Sequence, residues 1–287
     1  MLPRFLSKPF RGRTALLMTC LSIAGVVTLT GASKSRAITK LTLDPTADVV
    51  PLFDGIEQKS LDVSYIAKDS KGGNLFITNT GDKPLTIQMP KAFAAVHVMK
   101  QIGGAGGNVG GGGGGFGGQG GGGGGQAVGG GGGFGGGGGG FGGGGGGGGL
   151  FSVPAEKTAK IKIKTVCLEH GKAEPRPKME YEIKPLEEFT SNGPLLELVE
   201  SYGSSRSNSD FGAVQAAAWH LANDMSWREL AQKKFDRVGR PDEAYFSGRQ
   251  LQAAQGMVTI AVTKSKEREE EKAKEGGDSV RTYNEEK

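Results

Sequence analysis

The chain has 287 residues and 53 glycines, and 37 of those glycines fall between Gly103 and Gly149. Elsewhere glycine is near its usual frequency of about 7%, which excludes a collagen-like chain and one disordered throughout. The formal charge of +5 has a local source: residues 1–37 carry Arg4, Lys8, Arg11, Arg13, Lys34 and Arg36 and no acid, so the remainder sums to −1. A remainder near neutrality lacks the concentrated Lys and Arg needed to replace the counterions of a nucleic acid.

Residues 1–37 read as a secretory signal peptide: a basic start, the apolar core TALLMTCLSIAGVVTLTGA, then small residues that place cleavage after Ala32 or, preferably, Ala37. Cleavage removes Cys20 and leaves Cys167 as the single cysteine, so no internal disulfide can form. The expected location is the periplasm or the extracellular surface, with no stable membrane span after cleavage.

From 38 to 185 the pattern is β. The segments SLDVSYI, NLFITNT, PLTIQM and KTAKIKIKTV alternate apolar and polar residues, as strands with one buried face do. In the last, Ala159, Ile161, Ile163 and Thr165 point one way, and Lys160, Lys162 and Lys164 the other, towards water. Gly81, Asp82 and Lys83 supply turn chemistry for a hairpin between NLFITNT and PLTIQM. Short strands at this spacing predict an immunoglobulin-like β-sandwich. The glycine tract 103–149 interrupts that domain; without side chains to bury, it is expected to be a disordered insertion. Its many Gly-x-Gly-x-x-Gly matches carry no phosphate-site meaning, because no helix opens after them.

After Pro185 the period changes to about 3.6. PLLELVESY and DFGAVQAAAWHLAND read as helices, and Ser226 with Glu229 forms a capping box for SWRELAQKKF. Leu251, Ala254, Val258 and Val262 place a further helix over MVTIAVT, although its β-branched residues favour a strand locally. The expected organisation is a helical region, 186–262, packed on the sandwich. Residues 263–287 follow as a charged helix end and a disordered tail released at Gly276 and Gly277. The class is therefore α+β.

Chemistry concentrates in VCLEHGKAEPRPKMEY. His97, Cys167, His170 and Met179 occur in the order of a type-one copper site, and this part resembles the cupredoxin family; the resemblance implies those four as copper ligands. It departs from the family in the eight residues between His170 and Met179 and in the helices that follow. Val166-Cys167-Leu168 together with Val214-Gln215-Ala216-Ala217-Ala218 resembles the thioester domains of bacterial adhesins, which implies a Cys167–Gln215 cross-link. The phrases NTGDKPLTIQMPKAFAAVHVM, VCLEHGK and QAAAWHLANDMSW resemble a group of exported bacterial proteins with a polyglycine-interrupted β-domain; that resemblance implies export and architecture, not a reaction. The reading placed first has Cys167 as a packed thiol and His220 and Trp219 as helix packing. It assigns no catalytic, cofactor-binding or metal residue, and describes an exported non-enzymatic structural or binding protein whose partner is an envelope or extracellular protein or surface. The thioester adhesin and the copper protein are the alternatives.

Overall fold

A computed structural model describes residues 37–98, 124–131, 149–204, 209–235 and 241–285, with side chains as far as 274. Residues 1–36, which hold most of the expected signal peptide and its Ala32 site, lie outside the described residues, as do 103–123 and 132–148 of the glycine tract.

In chain order the elements are β1 (Asp48–Pro51), α1 (Leu52–Glu57), β2 (Leu61–Asp69), β3 (Gly72–Asn79), β4 (Leu85–Gln88), β5 (Ala92–His97), β6 (Val128–Gly131), β7 (Leu150–Val153), β8 (Thr158–Cys167) and β9 (Tyr181–Pro185). Then come α2 (Leu186–Phe189), α3 (Gly193–Ser204), α4 (Phe211–Asn223), α5 (Trp227–Gln232), β10 (Lys234–Phe235), β11 (Glu243–Ala244) and α6 (Gly248–Glu285). The described residues belong to one compact unit.

The immunoglobulin-like sandwich is not formed. Six strands close into an antiparallel barrel in the order β2-β3-β8-β6-β5-β9, and β2 meets β9 at the Tyr65↔Tyr181 pair. Alternation shows that a strand buries one face; it does not distinguish a sheet facing another sheet from a sheet curled on itself. The strand that joins β5 to β8 comes from inside the glycine tract: Phe93 pairs with Gly130 and Cys167 with Val128. Residues 126–131 are buried throughout, so this part of the expected disordered insertion is barrel wall.

The hairpin expected across Gly81-Asp82-Lys83 is also corrected. β3 pairs with β2 and β8, whereas β4 pairs with β1 and β7 in a separate three-stranded sheet. The chain turns a corner there because Asn79, fully buried, donates to the carbonyls of Lys83 and Val153 and accepts from the Gly81 N–H. One core joins the two sheets, with Leu75, Ile77 and Phe93 of the barrel and Ile87, Phe151 and Val153 of the small sheet in the same apolar cluster.

The helices cover the wall made by β6 and β8. α3 lies on β6, with Val199 against Gly129, and Gly203 approaches Gly131 so closely that a methyl on either would overlap the other's Cα. α4 packs on β8 and on α3, and α6 lies over both helices. That double cover buries every residue from Ala213 to Trp219. The Arg268 guanidinium ties α6 to α3, meeting Glu200 at 3.1 and 2.7 Å and Glu197 at 2.7 Å. The capping box read at Ser226 and Glu229 is present at the start of α5. α6 runs past Gly276 and Gly277, where the sequence reading released the chain; glycine weakens a helix by about 1 kcal/mol without the steric block of proline.

Candidate functional site

Cys167 ends β8, and its position follows from where the neighbouring strand stops. β3 begins at Gly72, paired with Lys164, and the Thr165 N–H reaches one residue further to the Lys71 carbonyl. Beyond that point no strand among the described residues pairs with β8 on this side. The side chain of Gln215, projected from α4, takes its place: the Cys167 N–H donates to Gln215 Oε1 and Gln215 Nε2 donates to the Cys167 carbonyl, both at 2.9 Å. On the other edge the Leu168 N–H donates to the Ala127 carbonyl. One buried carboxamide thus supplies both halves of a missing ladder rung.

The two residues of the thioester alternative are therefore brought together, through the backbone N–H and carbonyl of Cys167. Side chains in a sheet stand off its face, while ladder partners lie along it. The thiol and the carboxamide accordingly leave the strand in different directions. Cys167 is 1% exposed, and burial, followed by the charges of Glu174 and Asp69, pushes its thiol up to about 12. Burial thus disfavours the thiolate, the form of the sulfur that attacks carbonyls.

The copper ligand set is divided. His97 and Met179 converge on Gly125, whose N–H donates to His97 Nδ1 at 3.2 Å. A methyl at Gly125 would lie 2.8 Å from Met179 Sδ and 3.3 Å from the His97 ring. The Tyr181 hydroxyl donates to Met179 Sδ at 3.5 Å, and the His97 and Tyr181 rings meet edge to face. Tyr65 and Thr165 continue this polar end of the barrel with hydroxyls 3.5 Å apart. Burial pushes the Tyr65 phenol up to about 12 and raises that of Tyr181 as well.

His170 belongs to a different cluster, beyond the end of β8. Its N–H donates to Asn223 Oδ1, its ring packs edge-on to Trp219, and its Nε2 accepts from Lys233 Nζ at 2.9 Å. The same ammonium lies 5.4 Å from the centre of the Trp219 ring and 5.2 Å from that of Tyr245. Burial lowers the Lys233 pKa; burial first, and then the Lys233 charge, lowers that of His170, against a smaller opposing effect of Glu229. The imidazole lone pair a metal would need is already used. Among the described residues no group of three or more His, Cys, Asp and Glu side chains could hold a metal ion.

His220 stacks on Trp227 with ring centres 4.2 Å apart, and its Nδ1 lies 2.7 Å from the Met225 carbonyl. Lys233 and Tyr245 were missed by sequence reasoning. Nothing in their local spacing marks them, because only tertiary packing gathers residues 170, 219, 233 and 245. A cleft of about 360 Å³, bordered by Phe53, Pro90, Lys91 and Arg268 among others, shares no residue with either cluster. Comparison with protein-family models, curated proteins and solved structures found no match.

Proposed function

We propose that the protein is exported and does structural or binding work at the cell envelope without catalysing a reaction. One observation supports the non-enzymatic part: Cys167, on which both reactive alternatives depend, is 1% exposed, and its backbone N–H and carbonyl are both held by Gln215. Export rests on the basic and apolar pattern of residues 1–37. The second reading, a covalent adhesin, is favoured by the adjacency of Cys167 and Gln215; the copper protein keeps only the convergence of His97 and Met179.

Intact mass of the chain recovered from an exporting bacterium, before and after reductant and chelator, tests all three. The expected product starts at Ile38, has its full unmodified mass, and yields one reactive thiol only on unfolding. A chain that keeps Met1 and stays in the cytoplasm would overturn export. A mass short by one ammonia would establish the thioester, and a chelator-sensitive mass the metal protein.

A further inference from the structure

The wall of the barrel opposite in facing to its packed interior is built by β2, β3 and β8, and its register is fixed. Phe76 stands between Ser64 and Lys160, and Asn74 between Ile66 and Lys162. Their strand neighbours Tyr65, Leu75, Ile77, Ala159, Ile161 and Ile163 are buried. Alternation therefore turns the first group outward. Residues two apart on one face are separated by about 6.6 to 6.8 Å, so Lys160 and Lys162 form a regular cationic column that Lys164 extends.

The column has apolar company. Lys160 Nζ lies 5.7 Å from the centre of the Phe76 ring, and Ile66, one strand further on, is 41% exposed. Acid within these three strands is confined to the two ends: Asp62 at one, and Asp69, which pairs with Lys68 at 3.9 Å, at the other; on β9, beside β2, the exposed Glu182 is paired with Lys184 at 3.5 Å. A chain whose residues after 37 sum to −1 thus sets lysines beside a half-buried Phe76 and an exposed Ile66 on one wall. Lysines that meet headgroup phosphates, beside an apolar side chain that can enter the headgroup layer, are the complement of an anionic bilayer surface.

We propose that the β2–β3–β8 wall docks on an anionic lipid surface, with Lys160 and Lys162 meeting headgroup phosphates and Ile66 entering between the headgroups. This deepens the reading as an envelope-binding protein by naming the partner, and rests on export only for the place where the two meet. The docking is peripheral; no described helix is long and apolar enough to cross a membrane.

The test is co-sedimentation of the chain isolated from exporting cells with vesicles of phosphatidylcholine alone or mixed with phosphatidylglycerol. Binding is expected only to the mixed vesicles and should weaken as salt is added. Lys160→Gln with Lys162→Gln should lower the affinity about tenfold or more, each lysine near such a surface being worth roughly fivefold. Ile66→Ser should lower it at unchanged charge. Circular dichroism of each variant shows that the fold is kept, and wild type and variants share any leader, so failed processing would not imitate the result. Equal binding by the double variant, binding to phosphatidylcholine alone, or retention on a soluble polyanion without binding to vesicles would each overturn the proposal.

Discussion

Gln215 holds the edge of β8 through two hydrogen bonds to the backbone of a single residue, and their removal costs more than the loss of that residue's thiol. Gln215→Ala leaves the Cys167 N–H and carbonyl buried without partners, at about 1–3 kcal/mol for each group. Cys167→Ala removes only a small apolar side chain and should cost about 1 kcal/mol. Urea unfolding of the two variants checks the order; equal losses would mean that the carboxamide is not a ladder rung. His170 carries a second expectation at this scale. Its folded pKa is lowered from 6.5, so the unfolded chain takes up the proton first as the pH falls. The stability linked to neutral His170 is complete above about pH 6.5 and is lost as the pH falls through the lower folded value. The urea midpoint should therefore drop across that window, and His170→Gln should flatten the dependence. An unchanged slope would remove His170 as its source.

Among the elements, those with strong local patterns were legible and those without were not. β8 announced itself by strict alternation from Thr158 to Thr165, and α5 by its capping box. β6 gave no such signal, since Gly129, Gly130 and Gly131 have no side chains to alternate; Gln126-Ala127-Val128 is the only break in composition near it. Its glycines are used for close approach: α3 can lie on this strand because Gly131 and Gly203 meet backbone to backbone. Gly131→Ala forces two backbones apart, with no flexible side chain to yield, and should cost about 3 kcal/mol or more, the range of severe overpacking. Gly256→Ala meets nothing within 4 Å and should stabilise α6 by up to about 1 kcal/mol. Thermal melts of the two variants should move in opposite directions. A mild effect at Gly131 would show that α3 can withdraw from the barrel.

At the scale of the whole molecule, closure of the barrel was hidden from the sequence because it depends on which strands pair, and that is fixed by β6 and by the buried corner at Asn79. The candidate clusters were half legible. Cys167, His170 and Gln215 stood out by residue type, but their partners came from elements far apart in the chain. The same layering makes the helices dependent on the barrel. Ala213–Trp219 are buried on all sides because β8 lies beneath α4 and α6 above it, and Val199 of α3 rests on Gly129. A fragment of residues 186–287 would expose one side of both helices, including Leu195, Leu198 and Val199, while keeping the full ordering entropy of the segment. It should therefore be largely unfolded or molten, with weak near-ultraviolet circular dichroism from Trp219 and Trp227: Trp219 loses the His170 ring beyond β8, and its packing on Tyr245 and Phe246, like that of Trp227 on His220, loosens with the helices. A sharp, independent melt of that fragment would show that α3, α4 and α6 supply a sufficient core of their own.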